Sequence, residues 1–210
     1  MLNKILKIYN NVDYELLEKL GKGGFAETYK GYNKRRKQFV ALKFFIKSSG
    51  MEFTKVKLER IYLEHNIFEE ISNLHGDLFL NYFGIFKERS TYVMEMEIGL
   101  IDLQSLLKQR KKDDCLYTQE EIFYILLHLL DQFIFLEEHN IAHRDVKSGN
   151  IVIIESEKQK NLYKYKLADF GEAIKLKPSK IQRKTESFAY TKAYAAPEVI
   201  NDLNRNYNLI

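Results

Sequence analysis

The chain has 210 residues, of which 45% are hydrophobic, and this is enough to bury roughly 70% of the unfolded surface in a core. Its single cysteine, Cys115, excludes an intrachain disulfide and suits a reducing compartment, so we expect an intracellular, cytoplasmic location. The net charge of +4 is spread along the chain, and no stretch approaches the ~20 apolar residues of a membrane span, so we expect neither a nucleic-acid nor a membrane partner.

The N-terminal part of the chain predicts two strands around a group of glycines. Residues 1–13 lack a continuous apolar run and are predicted to be an N-terminal extension rather than a signal peptide. Tyr14–Leu20 and Tyr29–Tyr32 are predicted strands, and Gly21, Gly23 and Gly24 lie between them. Glycines here let backbone amides approach phosphate oxygens, although a plain hairpin turn fits the residues equally well.

A lysine lies inside the next apolar strand, which we predict at Phe39–Phe45. Lys43 is costly there unless it is paired, or unless its amine extends outward to solvent. A helix follows at Phe53–Ile71, with Ile61, Ile67 and Phe68 on or near one face.

Four further elements are predicted before the most polar part of the chain. Leu78–Phe86 and Ser90–Met96 are predicted strands, and Asp102–Gln109 begins a short helix. Thr118 and Glu121 form a capping-box pattern, which starts a long helix at Gln119. Apolar residues at three- to four-residue spacing predict that this helix is buried and central: Ile122, Ile125, Leu126, Leu129, Leu130, Phe133 and Leu136.

The run from His143 to Asn150 concentrates an acid, a base and an amide in eight residues. Strands are predicted at Ile151–Ile154 and Tyr165–Ala168, and Asp169-Phe170-Gly171 follows the second one. A polar loop whose Asp and Asn only cap turns is the alternative, but the length of the pattern counts against it.

The pattern H-R-D-x-K-x-x-N followed by D-F-G resembles the catalytic and metal-binding loops of eukaryotic protein kinases. Lys147 indicates the serine/threonine branch. The resemblance implies that Asp145 orients the substrate hydroxyl and that Lys147 neutralises the transferring phosphoryl group. It also implies that Asn150 and Asp169 hold Mg²⁺.

The same resemblance extends to the ATP-binding residues. Lys43 would anchor phosphates and pair with a glutamate of the first helix, either Glu64, whose register fits best, or Glu59. Met94 would stand behind the adenine, and backbone groups of Glu95 and Glu97 would bond its edge. The implied ATP-binding residues are Gly21, Lys22, Gly23, Gly24, Ala26, Thr28, Ala41, Lys43, Glu64, Met94, Glu95 and Glu97.

Residues 172–195 form a polar stretch that resembles a kinase activation segment, and Tyr190–Glu198 resembles the motif G-T-x-x-Y-x-A-P-E. Thr191 would contact Asp145 and Lys147. An upstream kinase would phosphorylate Ser187, or else Thr185, to order the segment beside Arg144. Two alternatives stay open: Glu186 acts as a built-in mimic of the phosphate, or the hydroxyls are ordinary loop residues.

The resemblance therefore predicts a two-lobed α+β fold. We expect a kinase domain at 14–210, with a β-rich N-lobe at about 14–97 that holds one main helix. A helical C-lobe at about 98–210 would be truncated after the A-P-E segment. The implied function is Mg²⁺-assisted phosphoryl transfer from ATP to Ser/Thr hydroxyls of proteins. A nucleotide-binding pseudoenzyme or scaffold without transfer activity is the alternative.

Overall fold

In a computed structural model of the chain, residues 13–45, 53–75, 77–88, 91–156, 162–176 and 194 are described, with the backbone of 182–184 and 206–208. The chain divides into two compact units, Met1–Gly99 and Leu100–Ile210. Both contain strands and helix, with most of the described sheet in the first unit.

The first unit is built on a five-stranded antiparallel sheet with the strand order β1-β2-β3-β5-β4. The alternation of side chains along β3 sends Val40, Leu42 and Phe44 to one face and Ala41 and Lys43 to the other. An apolar cluster that includes these first three residues fills the first face. The strands are β1 (Tyr14–Lys22), β2 (Ala26–Asn33), β3 (Gln38–Phe45), β4 (Tyr82–Glu88) and β5 (Thr91–Glu97).

Helix α1 (Lys55–His75) packs on this sheet through one apolar stripe. Phe68 lies edge-on against Tyr82 of β4, with ring centroids 5.2 Å apart. Ile61, Glu64 and Phe68 are all buried and follow one another at three- and four-residue spacing. The stripe therefore carries one carboxylate among its apolar side chains.

The prediction of a strand from Leu78 is wrong at its start, because α1 runs past Ile71 to His75. The His75 carbonyl accepts hydrogen bonds from the N–H groups of Leu78 and Phe79, which closes a turn at the end of the helix. The strand begins only at Tyr82, as β4.

The described part of the second unit contains two α-helices and three small sheets. Helix α2 (Leu103–Lys112) is capped by Asp102, whose side chain accepts from the Ser105 N–H. Helix α3 (Gln119–Glu138) begins with the predicted capping box, with both of its hydrogen bonds formed. The strands are β6 (Ile101–Asp102), β7 (Ile141–Ala142), β8 (Ile151–Glu155), β9 (Tyr163–Leu167), β10 (Ile174–Lys175), β11 (Gln182–Lys184) and β12 (Asn206–Asn208).

The pairing of these strands sets the position of the polar loop between β7 and β8. β6, β8 and β9 form one antiparallel sheet in that order, and β7 pairs with β10. A 3-10 turn at Ser148–Asn150 leads directly into β8. The loop that holds His143 and Asn150 is thus bounded by a strand at each end.

The prediction that α3 buries all of its apolar residues is wrong. The buried stripe consists of Ile125, Leu129, Gln132, Phe135 and Leu136, whereas four residues expected in the core are exposed: Ile122, Leu126, Leu130 and Phe133. The apolar side chains of α3 lie on most of its faces, so their spacing does not specify which stripe of the helix packs against the sheet.

Candidate active site

Lys43 and Glu64 form a buried ion pair in the first unit. The Lys43 Nζ lies 2.5 Å from Glu64 Oε1, and the two side chains are only 11% and 5% exposed. A buried ammonium group is expensive without a partner, so Glu64 accounts for the lysine on this strand. Glu59 is mostly exposed and lies 4.0 Å from Lys55, so the structure brings Glu64, not Glu59, to Lys43.

The glycines predicted to approach phosphate form a tight hairpin tip. Strands β1 and β2 extend farther than predicted, pairing Gly21 with Thr28 and Lys22 with Glu27. The Gly23 N–H donates to the Ala26 carbonyl at 2.8 Å, which closes the turn that also contains Gly24.

Glu27 is a buried carboxylate in this hairpin that sequence reasoning missed. It forms ion pairs with Lys19 at 2.7 Å and Lys22 at 3.6 Å, and it accepts a hydrogen bond from the Tyr29 hydroxyl. The Lys19 ammonium holds the pKa of the Glu27 carboxyl below its usual value. The carboxylate therefore stays charged and ties the end of β1 to the start of β2.

Met94 and Met96 lie on the same face of the sheet as Lys43. The antiparallel register pairs Lys43 with Met94 and Ala41 with Met96, and both methionines are buried. Side chains of directly opposed residues share a face, so this face holds the ion pair and both sulfur-containing side chains.

The backbone of Glu95 lies inside the sheet, because β5 is bordered by β3 and β4. The Glu95 side chain accepts hydrogen bonds from the Tyr14 hydroxyl at 2.8 Å and from Asn33 Nδ2 at 2.6 Å. The Glu97 N–H donates to the Asn81 carbonyl at 2.8 Å. The predicted hydrogen bonds of Glu95 and Glu97 to adenine stay a prediction.

In the second unit, His143 joins the polar loop to the segment after β9. The Asp145 N–H donates to His143 Nδ1 at 3.3 Å, while His143 Nε2 lies 3.2 Å from the Ala168 carbonyl oxygen. The ring also packs 4.8 Å from that of Phe170. Burial lowers the pKa of His143, which favours the neutral ring. Because Nδ1 accepts from the Asp145 N–H and Nε2 faces a carbonyl, we assign the proton to Nε2.

Two of the predicted catalytic and metal-binding side chains, Lys147 and Asn150, meet at a third, Asp145. Lys147 Nζ lies 2.6 Å from Asp145 Oδ2. Asn150 Nδ2 donates to both Oδ2 and the backbone carbonyl of Asp145, at 2.9 Å each. The two acceptors fix the orientation of the Asn150 amide, with its nitrogen toward Asp145.

Asp169 follows a segment that is bonded to the same loop. The Ala168 N–H donates to the Asn150 carbonyl at 2.8 Å. Asp169 itself has a positive φ of 63°, and so does Arg144, at 64°. A left-handed backbone is uncommon for such residues and costs about 1–3 kcal/mol each, so the surrounding hydrogen bonds hold these conformations. One of them joins Arg144 Nε to the Glu172 carbonyl at 2.6 Å.

The chemistry of the side chains fits Mg²⁺ at Asn150 and Asp169. Mg²⁺ in proteins takes one or two side-chain oxygens and completes its shell with water and substrate phosphates. Among the residues that the structure describes, no group of three or more His, Cys, Asp or Glu could hold a metal ion. A dedicated all-protein metal cage is therefore not found in that part of the chain.

The predicted regulatory residues Thr185, Ser187 and Thr191 lie outside the described residues, as do Glu186 and Glu198. The hydroxyl of Tyr194, which belongs to the same predicted segment, lies 2.9 Å from Ser148 Oγ.

A comparison with protein families matches residues 14–209 to the protein kinase domain. The chain belongs to the eukaryotic protein kinase family. This kinase chain is 30% identical over 199 residues to the serine/threonine-protein kinase ppk23 of Schizosaccharomyces pombe. The match covers 93% of this chain and 46% of the relative, so the chain spans about half the length of the curated relative it matches. The predicted α+β kinase fold is confirmed.

No helix within the described part of this kinase chain is long and apolar enough to cross a membrane.

Proposed function

We propose that this chain transfers a phosphoryl group from ATP to serine or threonine hydroxyls of proteins, with Mg²⁺ as cofactor. We assign the kinase domain to residues 14–210 and treat 1–13 as an extension. The observation that carries the proposal is the hydrogen-bonded set of Asp145, Lys147 and Asn150 within a chain of the kinase family. Phosphoryl transfer needs positioned charges more than covalent chemistry, and this set supplies them.

In the reaction, Asp145 accepts a hydrogen bond from the substrate hydroxyl and orients its oxygen for attack. Lys147 stabilises negative charge that develops on the transferring group. Asn150 and Asp169 would hold Mg²⁺, and the bound ion would supply positive charge beside the phosphate oxygens.

The residues proposed to bind ATP lie in the first unit. Lys43, held by Glu64, neutralises phosphate charge, and backbone groups of the hairpin tip approach the phosphates. The other proposed contacts are Gly21, Lys22, Gly23, Gly24, Ala26, Thr28, Ala41, Met94, Glu95 and Glu97.

We propose that Met94 stands behind the adenine. Its position directly opposite Lys43, on the face that holds the Lys43–Glu64 pair, supports this proposal, because that pair is proposed to neutralise the phosphates of the same nucleotide. Met96, opposite Ala41, lies on the same face.

We also propose that an upstream kinase phosphorylates Ser187 or Thr185. Arg144, whose Nε donates to the Glu172 carbonyl, supplies positive charge that would favour a phosphate nearby. Active protein in which mass spectrometry finds both residues unmodified contradicts this assignment.

We place the protein in the cytoplasm. The support is a single exposed cysteine, Cys115, which is free and suits a reducing compartment. Microscopy of the tagged full-length protein tests this location, and a signal confined to another compartment contradicts it.

The experiment that tests the main proposal incubates the purified chain with γ-labelled ATP, Mg²⁺ and a general protein substrate. Label on phosphoserine or phosphothreonine, lost when EDTA replaces Mg²⁺, is the expected result. ATP-induced thermal stabilisation without label transfer contradicts transfer and supports the nucleotide-binding alternative.

A further inference from the structure

Gln132, on the buried stripe of α3, joins that helix to strand β9. The residue is only 1% exposed. Its Nε2 donates to the Tyr165 carbonyl and to the His128 carbonyl of its own helix, at 2.7 Å each, and its Oε1 accepts from the Leu167 N–H at 2.6 Å. One side-chain amide thus bonds two backbone groups of β9.

These two bonds have the geometry of strand pairing. In a β-strand, the carbonyl of one residue and the N–H of the residue two positions later point to the same edge. Tyr165 and Leu167 are such a pair, and β9 is the outer strand in the order β6-β8-β9. Gln132 therefore occupies the edge of β9 as one residue of a neighbouring parallel strand would, with a donor toward the Tyr165 carbonyl and an acceptor toward the Leu167 N–H.

The segment that Gln132 holds leads directly to Asp169. Leu167 is followed by Ala168, whose N–H donates to the Asn150 carbonyl and whose own carbonyl faces His143 Nε2. Gln132 thus fixes the position of β9 immediately before a residue with a left-handed backbone. A shift of β9 along its axis would change the separation of Asp169 and Asn150.

We propose that Gln132 is a positioning residue for the metal site, acting through β9 on Asp169. This inference rests on the proposed function, because it takes Asn150 and Asp169 as the residues that hold Mg²⁺. The role is indirect: Gln132 fixes the spacing of the two ligands but contacts neither of them in the hydrogen bonds described above. Residues that orient metal ligands typically change metal affinity by about 10–100-fold when they are replaced.

The test measures binding of Mn²⁺ to the full chain by electron paramagnetic resonance, with a non-hydrolysable ATP analogue present. Gln132→Met keeps the length and burial of the side chain but removes its hydrogen bonds to β9. We expect the Mn²⁺ concentration at half-saturation to rise about 10-fold. A half-saturation equal to that of the unchanged chain overturns the proposal.

Leu129→Ala is the matched control, because Leu129 lies on the same buried stripe and its apolar side chain makes no hydrogen bond to β9. It should lower the melting temperature without changing the Mn²⁺ half-saturation. If the Mn²⁺ concentration at half-saturation rises equally in both variants, Gln132 acts only through packing, and this result also overturns the proposal.

A second measurement needs no variant. Hydrogen exchange in the metal-free, unchanged chain should show the Leu167 N–H protected, and exchange at an unprotected rate overturns the proposal. Because Mn²⁺ binding and hydrogen exchange do not require transfer, a chain that passes both tests but transfers no phosphate refutes the proposed function alone.

Discussion

The side-chain nitrogen of Asn150 lies 2.9 Å from both Oδ2 and the backbone carbonyl oxygen of Asp145. The amide therefore fixes the Asp145 carboxylate and, because its nitrogen is used, turns its own oxygen away from Asp145. Lys147 binds the same carboxylate oxygen from a second direction. Lys147 is proposed to neutralise charge and Asn150 to hold Mg²⁺, and both residues also position Asp145, the proposed base.

The Lys43–Glu64 pair should be costly to break and less costly to replace as a whole. Glu64→Ala leaves a buried ammonium group without its partner, and we expect the free energy of unfolding to fall by about 3–5 kcal/mol. Urea denaturation measures this. Glu59→Ala, at an exposed position of the same helix, should change it by less than about 0.5 kcal/mol.

A double variant distinguishes the cost of leaving Lys43 unpaired from the loss of packing at the Lys43–Glu64 pair. Lys43→Met combined with Glu64→Met replaces both charges with apolar side chains, and it should be more stable than Glu64→Ala alone. If the double variant is less stable than Glu64→Ala, the unpaired charge of Lys43 is not the cause of the lost stability.

The proposed place of Met94 behind the adenine predicts which truncation makes room beside the base. Met94→Ala should increase kcat/KM for an ATP analogue with a benzyl group on the N6 nitrogen, relative to ATP itself. Met96→Ala is the matched control, because it removes the same side chain opposite Ala41. A larger gain from Met96→Ala would contradict the place proposed for Met94.

Burial of His143 predicts that stability falls on mild acidification. Its pKa in the folded chain is lowered from the ordinary value of 6.5, so below that pH the unfolded chain binds a proton that the folded chain does not. The contribution of the neutral His143 to the free energy of unfolding is therefore fully present above pH 6.5. Below pH 6.5 the free energy of unfolding falls by about 1.4 kcal/mol per pH unit, until the pH reaches the pKa of His143 in the folded chain.

Urea denaturation between pH 7 and pH 5 measures this slope. His143→Leu should flatten it, although the variant is less stable at pH 7 because its hydrogen bonds are lost. Leu129→Ala, at a buried position without an ionisable side chain, should lower the stability but leave the slope unchanged. Equal slopes in the unchanged chain and in His143→Leu would mean that His143 does not titrate differently on folding.

Local patterns predicted much of this molecule. The capping box placed the start of α3 at Gln119 because its hydrogen bonds involve only residues within one turn. The resemblance to the kinase family, through the apolar positions that follow its helix glutamate, favoured Glu64 over Glu59, and Glu64 is the residue that lies against Lys43. The capping box depends only on residues within one turn, whereas the choice of Glu64 needed the family pattern to relate it to Lys43, 21 residues away.

Features set by distant contacts could not be predicted in the same way. Gln132 is buried because β9, more than thirty residues later, supplies its partners, and no spacing within α3 reveals this. Glu27 and Glu95 are charged residues in strands, where exposure is the usual expectation. Their burial depends on cross-strand partners such as Lys19 and Tyr14.

The most direct test of the central claim compares phosphoryl transfer by the unchanged chain with that of Asp145→Asn, in the presence of ATP and Mg²⁺. We expect the rate to fall by about 10²–10⁴-fold while ATP binding persists, because the variant cannot accept the substrate proton. Asp131→Asn, an exposed aspartate of α3, should match the unchanged chain. Equal transfer rates in the unchanged chain and Asp145→Asn would contradict the account.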